Sequence, residues 1–491
     1  MQLLNEISRT GRKGFTLPKC GVPVTAMPKN LLRAELHLPS LDESTAMRHW
    51  TGLSQMNYSV DSNFYPLGSC TMKYNPRMNE EAAGLSGFRR AHPLQGEAAS
   101  QGAIELMYKL QESLKAITGF KAVTLQPAAG AHGELTGALM IRAYHKSRGE
   151  TSRTRMLIPD SAHGTNPATC TMAGFITETI PSDASGGIDL AALEAACSGE
   201  NAKTLAGIMI TNPSTLGLFE ANIEKITAII HKAGGLVYGD GANMNAIIGI
   251  VQPASLGFDV LHINLHKTFA SPHGGGGPGS GIVAANETLS AFLPGKIVVV
   301  STSSTTGEPA YSLTQMPQSI GSVKSFWGNF AALARSYAYI EMIGKEGLRR
   351  VAEFAVLHAN YLRELIKDDY PTPFAGIFGK GGRPCMHEFV AAPDLNPEAH
   401  INTMDIAKRL IDYGFHPPTT YFPLIVHEAF MVEPTETESK ETLDAFADAC
   451  KKIAAEAKAT PELLKSAPHN TPVGRLNETE AARKPVLRVL F

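Results

Sequence analysis

Short apolar runs alternate with helical stretches between residues 123 and 283, and this alternation limits the possible folds more than any other feature. Four runs predict buried strands: MLIP (156–159), AGIMITNP (206–213), GLVYGDGAN (235–243) and VLHINLHK (260–267). Between two of them, Ile223, Ile226 and Ile230 recur at helical spacing, and two glycines end that helix. Strands that alternate with helices predict βαβ units and a mostly parallel sheet covered on both faces.

Polar residues collect where these predicted strands end. In parallel sheets of this kind, ligands bind beyond the carboxyl ends of the strands. We therefore expect a site built from some of these residues: Asp160, His163, Thr211, Asn212, Asp240, Asn243, His266 and Lys267.

The rest of the chain predicts three regions. Residues 1–95 are predicted to be an irregular N-terminal segment, because proline and glycine interrupt stretches such as FYPLGSCTMKYNP (64–76). Residues 96–335 form a large α/β domain that opens with an amphipathic helix ending before Gly119. Residues 336–491 form a smaller α+β domain. Its predicted elements are a long helix over 328–368, a Gly-rich linker (GIFGKGGRP), a strand at CMHEFVAA, and helices near 404–413 and 437–457.

Composition excludes several classes of protein. Lys and Arg number 44 against 46 Asp and Glu, so the net charge of −2 offers no field for nucleic acid or an anionic membrane. The six cysteines are scattered without a CxxC pair, which argues against a disulfide scaffold or a zinc ribbon. No apolar run approaches the roughly 18 residues of a membrane-spanning helix. We expect a cytoplasmic protein, or the mature form of an organellar one.

Lys267 is the most informative residue. It closes an apolar strand and precedes a glycine-rich loop, Gly274–Gly277, in LHINLHKTFASPHGGGGPGSG. A lysine held between a hydrophobic sheet and open backbone can reach the neutral state that a Schiff base requires. The alternative, an exposed strand-end lysine before a flexible loop, stays open on this window alone.

Three other features could serve the same site. Asp240 ends a strand and could pair with a protonated pyridine nitrogen, although an aspartate before a glycine is more often a turn residue. His163 could stack on a flat cofactor, although such a histidine is more often only a hydrogen-bonding residue. Ala129, Gly130 and Ala131 begin a helix whose free N–H groups could bind an anion, but the GK[ST] of a P-loop is missing.

Rival chemistries fit less well. His262, His266 and His273 could suggest zinc, but the sequence around them lacks HExxH and a nearby carboxylate. No GxGxxG supports a dinucleotide site, and Cys70 and Cys385 lack the spacing of a catalytic thiol. The candidate residues follow a fixed order across one α/β domain: the helix start comes first, then the histidine, the aspartate and the lysine. A smaller domain follows. This is the order found in fold-type I enzymes that use pyridoxal 5′-phosphate (PLP).

Longer stretches of the chain closely resemble the P-protein family of the glycine cleavage system. They span about Val60 to Asp444, and RLNETEAARKPVLR extends the likeness towards the C-terminus. The stretches are VDSNFYPLGSCTMKYNP, LQPAAGAHGE, PDSAHGTNPA, TNPSTLGLFE, DGANMNA, NLHKTFASPHGGGGPGSG, CMHEFV, PPTTYFPL and VEPTETESKETLD.

The resemblance implies the PLP-dependent transferase-like fold (fold type I) and a role for each candidate residue. Lys267 would hold PLP as a Schiff base, Asp240 would face the pyridinium nitrogen and His163 would face the ring. Residues near the phosphate would be Ala129, Gly130, Ala131 and His266. Asn212 and the segment Phe64–Thr71 are weaker candidates for the pocket, and no metal is implied.

The resemblance also implies the reaction and its partners. Glycine would lose CO2, and its aminomethyl group would pass to the lipoyl arm of the H-protein. We expect no arginine clamp on the glycine carboxylate, because such a clamp would oppose its departure. The chain matches one half of the long single-chain members, so a separate subunit 1 in an α2β2 assembly is implied. Decarboxylation of another amino acid and a non-catalytic scaffold remain alternatives.

Three departures from the family pattern stand out. SIGSV (319–323) lacks an arginine that the family commonly has there, and residues 295–318 contain polar Ser and Thr where we expect a more charged segment. Gly239 replaces an aromatic residue, which we expect to loosen the packing behind Asp240.

Overall fold

The computed structural model describes residues 2–68, 70–92, 95–272, 279–303, 307–376 and 382–487. Its α-helices are α1 (Leu4–Ile7), α2 (Glu43–Gln55), α3 (Arg77–Ala83), α4 (Ser86–Arg89), α5 (Gln101–Thr118), α6 (Gly130–Ser147), α7 (Thr165–Met172), α8 (Leu190–Ala196), α9 (Gly199–Thr204), α10 (Ile223–Lys232), α11 (Glu287–Ser290), α12 (Phe330–Ile366), α13 (Thr403–Asp412), α14 (Lys440–Ala459), α15 (Pro461–Ser466) and α16 (Glu478–Arg483). Its strands are β1 (Ala122–Thr124), β2 (Arg155–Pro159), β3 (Ile176–Ile180), β4 (Leu205–Thr211), β5 (Leu236–Gly241), β6 (Val260–Asn264), β7 (Gly281–Ala285), β8 (Lys296–Thr302), β9 (Pro309–Gln315), β10 (Phe389–Ala391), β11 (Thr419–Thr420) and β12 (Phe430–Val432).

The chain divides into two compact units, Met1–Asn63 with Pro472–Phe491, and Phe64–Thr471. The first unit contains α1, α2 and α16. Helix α2 lies within the stretch predicted to be irregular, and Asp42 caps it by accepting a hydrogen bond from the Thr45 N–H at 2.8 Å. The domain boundaries near residues 95 and 335 stay predictions.

A seven-stranded sheet in the order β1-β7-β6-β5-β4-β2-β3 is the centre of the second unit. Only β7 runs against the other strands, so the predicted mostly parallel sheet is confirmed. The four strands predicted from apolar runs are β2, β4, β5 and β6. Edge strand β3 was not predicted, because its sequence, ITETI, mixes polar and apolar residues and the strand is only partly buried.

Helices cover the sheet as the apolar periodicities predict. Helix α10 buries Ile223, Ile226 and Ile230 in the main core. Helix α5 ends at Gly119, whose φ of 77° is the left-handed conformation that favours glycine at a helix C-terminus. Among the described residues, no helix has both the length and the apolar character needed to cross a membrane.

The C-terminal part of this unit contains a small antiparallel sheet, β10-β12-β11, packed with α13 and α14. Phe389, Phe430 and Phe446 are buried in its core. The predicted elements are present, although Gly344 interrupts α12 with a non-helical backbone. Most of the predicted glycine-rich linker lies outside the described residues.

The Ser- and Thr-containing segment after residue 295 forms a hairpin, in which β8 and β9 pair antiparallel over seven residues each. It packs on α5, where the Gln111 amide donates to the Val298 carbonyl at 3.1 Å and accepts from the Val298 N–H at 3.2 Å. The described parts of this segment are therefore regular β-structure packed against α5.

Candidate functional site

A cavity of about 440 Å³ lies at the carboxyl ends of the parallel strands, where the sheet topology predicts a ligand site. It is lined by most of the candidate residues: Ala129, Gly130, Ala131, His163, Asp240, His266 and Lys267. Asn212 is absent from the lining, although Thr211 and Pro213 belong to it. The Asn212 side chain instead accepts a hydrogen bond from the Glu220 N–H at 3.0 Å.

Lys267 sits in a turn directly after β6, where its N–H donates to the Asn264 carbonyl at 3.1 Å. The next residue, Thr268, is fully buried, and its hydroxyl accepts a hydrogen bond from the Met244 N–H at 2.9 Å. These contacts anchor the backbone on both sides of the lysine. His273 and the Gly274–Gly277 loop lie outside the described residues.

Asp240 is buried at the end of β5 and is backed by a second layer of polar groups. The Asp240 Oδ1 atom lies 3.6 Å from Nε2 of His262, and Nδ1 of His262 lies 2.6 Å from the Tyr238 hydroxyl. Burial lowers the pKa of His262 and raises the pKa of Tyr238, so both groups are neutral near pH 7. Because the Asp240 carboxylate lies beside Nε2, the favoured tautomer of His262 carries its proton on Nε2, and the Tyr238 hydroxyl then donates to Nδ1.

Two expectations about the surroundings of Asp240 were wrong: that no carboxylate lies near His262, and that Gly239 loosens the packing behind Asp240. Carboxylates do stand near His262: Glu134, Asp240 and His262 bring ligand atoms within 4.8 Å of one another. Gly239 does not loosen the packing, because a Cβ atom there would lie 2.6 Å from Leu261 and 3.0 Å from Phe258.

Glu134, on the first turns of α6, is a cavity residue that the sequence interpretation missed. Burial, together with the charge of Asp240, raises the pKa of Glu134 to about 7. Its Oε2 accepts a hydrogen bond from the Thr165 hydroxyl at 3.0 Å, whereas Oε1 is buried and has no partner among the described residues. The helical spacing from Gly130 to Glu134 was the available signal, since residues four apart share a helix face.

His163 follows β2 and faces the open cavity. Its Nδ1 accepts a hydrogen bond from the Thr165 N–H at 3.2 Å, and Nε2 takes no part in this contact. The surrounding protein desolvates the ring and lowers the pKa of His163, so the imidazole is neutral near pH 7. A neutral ring is suited to stacking on an aromatic ligand.

The start of α6 has the properties of an anion site. No side chain caps this 18-residue helix at Ala129, so its first N–H groups face the cavity region uncapped. Gly130 is required because a Cβ atom would overlap the side-chain amide of Asn264. That amide's Oδ1 is buried and has no partner among the described residues.

The segment 64–76 contributes both lining and support. Leu67, Gly68, Cys70 and Thr71 line the cavity, whereas Phe64 packs edge-on against Phe446 in the small core. The segment therefore divides its side chains between the cavity and the C-terminal region.

An acidic wall completes the cavity and was missed entirely. It consists of His387, Glu388 and Glu433, which are all buried and bring ligand atoms within 4.8 Å of one another. The stretches CMHEFV and VEPTE contained these residues, but no local pattern linked two segments so far apart in sequence.

The residues present fit PLP. Lys267, the Asp240 carboxylate and the uncapped start of α6 offer an amine, a counter-ion for a cationic ring nitrogen and an anion site within one cavity. Thr211 Oγ1 and Asn264 Oδ1, both in residues that line this cavity, are buried and have no partner among the described residues. Buried polar atoms left unpaired in a concave site indicate a ligand that satisfies them.

Comparisons with known proteins agree on one family. A family model described as glycine cleavage system P-protein matches residues 24–376, and one described as glycine dehydrogenase, C-terminal domain, matches residues 351–471. A probable glycine dehydrogenase (decarboxylating) subunit 2 from Caldanaerobacter subterraneus is 54% identical over 99% of this chain and 98% of its own length. The protein of the same name from Desulforamulus reducens is 52% identical over the same shares.

Solved structures share the fold. A glycine decarboxylase (P-protein) of the glycine cleavage system, in inhibitor-bound form, matches with a TM-score of 0.72 at 21% identity, covering 87% of this chain and 93% of that one. A sphingosine-1-phosphate lyase from Burkholderia pseudomallei matches with a TM-score of 0.63 at 14% identity, covering 90% and 96%. The architecture is that of fold-type I PLP enzymes. With a matching family model over most of its length and relatives above half identity, the chain belongs to the P-protein family of the glycine cleavage system, the PLP-dependent decarboxylating glycine dehydrogenases.

Proposed function

We propose that this chain is the catalytic subunit that removes CO2 from glycine and passes the aminomethyl group to the lipoyl arm of the H-protein. The observation that carries the proposal is the single cavity that holds both Lys267 and Asp240 at neighbouring strand ends. PLP, when bound, supplies the electron sink that accepts the electron pair left as CO2 departs.

We propose a distinct role for each of four residues. Lys267 would hold PLP covalently through its amine, which the amino group of glycine would then replace. The Asp240 carboxylate holds a proton on the ring nitrogen, and His262 orients that carboxylate. His163 would face the ring, and the first N–H groups of α6 would hold the phosphate.

The transfer step balances with the lipoyl disulfide as oxidant. The aminomethyl carbon bonds to one sulfur, the S–S bond breaks, and the other sulfur leaves with the electron pair and takes up a proton. The disulfide is reduced and the substrate carbon is oxidised. The H-protein is therefore a required partner in this proposal.

We also propose assembly with a subunit 1 of similar fold as α2β2, and a cytoplasmic location. The name subunit 2 carried by the relatives implies a partner subunit. Among the described residues no cysteine forms a disulfide, and four of the six cysteines are buried, which suits a reducing compartment.

The test combines the chain with its partner subunit, PLP and lipoylated H-protein. Borohydride reduction followed by peptide mapping should label Lys267, and glycine should release CO2 only when the lipoyl carrier is present. Lys267→Ala should abolish both signals, whereas Lys225→Ala, which removes an exposed lysine on α10, should change neither.

Label on another lysine would overturn the assignment of Lys267. Faster CO2 release from alanine or glutamate than from glycine would favour a different decarboxylase. Failure of the wild-type complex to bind PLP would favour a scaffold.

A further inference from the structure

The acidic wall of the cavity, His387, Glu388 and Glu433, is rigidly held. Met386 donates its N–H to the Gly217 carbonyl at 2.7 Å, directly before the first two wall residues. The Glu433 N–H donates to the Pro66 carbonyl at 2.7 Å. The wall is therefore positioned by the loop after β4 and by the segment 64–76.

The wall combines one carboxylate with two neutral groups. Glu433 accepts hydrogen bonds from Thr71 at 2.7 Å, Asn243 at 2.8 Å and Asn245 at 3.1 Å, a set of donors that suits a carboxylate. Burial, and then the charge of Glu433, raises the pKa of Glu388 well above its usual range, which favours the protonated, neutral form of Glu388. Burial lowers the pKa of His387, which keeps its ring neutral.

The imidazole of His387 has no hydrogen-bond partner among the described residues. Its side chain is 2% exposed, and both ring nitrogens are buried. Nε2 lies 3.8 Å from the Glu388 carboxyl, which is too far for a hydrogen bond. A buried ring with two unpaired nitrogens at the lining of a cavity indicates a polar ligand at this wall.

The wall lies within electrostatic reach of Lys267, whose charge acts on both Glu388 and His387. Glycine has two carbons, so its carboxylate must lie a few ångströms from the nitrogen that replaces the lysine amine. Elsewhere in the cavity, Glu134 and His262 are already grouped around Asp240. The wall is a polar surface of the same cavity whose unpaired imidazole nitrogens are available to the substrate carboxylate.

Resting on the proposed function, we infer that Glu388 and His387 hold the carboxylate of glycine through hydrogen bonds from neutral groups, while the adjacent Glu433 carboxylate repels it. Among the described residues, no arginine lines the cavity. A guanidinium would stabilise the charged carboxylate and oppose the loss of CO2. Neutral donors position the carboxylate, and the repulsion from Glu433 is relieved once CO2, which has no charge, forms.

The test uses the complete complex with PLP and compares the binding of glycine with that of glycinamide, which has no carboxylate. Glu388→Ala should weaken glycine binding about tenfold, the loss of one hydrogen bond to a charged group, and leave glycinamide within about threefold. Glu388→Gln keeps a neutral donor and should bind glycine within about threefold of wild type. Glu433→Gln should bind glycine more tightly but release CO2 more slowly.

A second measurement needs no substrate. The infrared spectrum of the wild-type chain at pH 7 should contain a protonated-carboxyl band that is lost in Glu388→Gln. Absence of this band, or equal weakening of glycine and glycinamide by Glu388→Ala, would overturn the inference. Tight Zn²⁺ binding that Glu388→Gln removes would assign the wall to a metal and also overturn it. These outcomes leave CO2 release by the wild-type complex intact, so they are separable from failure of the proposed function.

Discussion

Lys73 forms a buried ion pair with Glu436, with 2.5 Å between Nζ and Oε1, and the same ammonium donates to the Thr268 carbonyl at 2.7 Å. The lysine side chain is only 1% exposed. Burial alone would lower the pKa of Lys73, but Glu436 outweighs it, so the pKa is raised and the amine stays charged. The pair thus connects the segment 64–76, the region after β12 and the residue next to Lys267.

Breaking this pair should destabilise the protein strongly. Lys73→Met leaves the Glu436 carboxylate buried without its cation, and we expect a loss of about 3–5 kcal/mol in the free energy of unfolding. The double variant Lys73→Met/Glu436→Gln should recover part of that loss, because no charge is left unpaired. Denaturant unfolding of both variants measures this. The single variant Glu436→Gln completes the comparison. If the double variant loses as much stability as Lys73→Met and Glu436→Gln together, the two residues act independently.

Glu134 should make stability fall as the pH rises from about 4.5 to 7. Its folded pKa of about 7 lies above the ordinary 4.5, so the folded state holds a proton that the unfolded state has lost in this window. Protonated Glu134 contributes on the order of 3 kcal/mol to the free energy of unfolding. This contribution is fully present below pH 4.5 and is lost as the pH rises through 7. Unfolding of the PLP-free chain across this range should show a shallower decline for Glu134→Gln than for wild type. Glu194→Gln, at an exposed position, should match wild type; an unchanged slope in Glu134→Gln would contradict the prediction.

Gly130→Ala should damage the start of α6. The added methyl group overlaps the Asn264 amide, so we expect a loss of about 1–3 kcal/mol in stability and at least about tenfold weaker PLP binding. Gly102→Ala, in α5, meets nothing within 4 Å and should be neutral or stabilising by up to about 1 kcal/mol. Thermal unfolding and equilibrium dialysis with PLP compare the two. Equal PLP affinity in both variants would show that the start of α6 does not bind the phosphate group of PLP.

Tyr238→Phe should disturb Asp240 through His262. Without the hydroxyl, His262 Nδ1 loses its donor, which should cost about 1–3 kcal/mol and free the ring to change tautomer. Nitrogen NMR of the His262 ring should show less of the Nε2–H form, and CO2 release should fall several-fold. Tyr74→Phe, at an exposed tyrosine, is the matched control. An unchanged tautomer would show that Asp240 alone orients the ring.

The parallel sheet and the order of its site residues could be predicted because each depends on a local pattern. Strands β4, β5 and β6 are buried on both faces, and such strands are continuous apolar runs in sequence. Asp240 and Lys267 follow two of those runs, so the sheet topology alone brings them to one edge. Edge strand β3 and helix α2 carry weaker patterns and were missed.

The amino-acid sequence by itself determined the strands, the helix start at Gly130 and the strand-end positions of His163, Asp240 and Lys267, since neighbours along the chain set each of these. Only the tertiary structure decided what surrounds them. The Thr71 hydroxyl reaches Glu433 across 362 residues of sequence, and burial of Glu134 and Glu388 is what raises their pKa values. Desolvation and pairing between distant segments arise when the chain packs, so a linear pattern does not contain them.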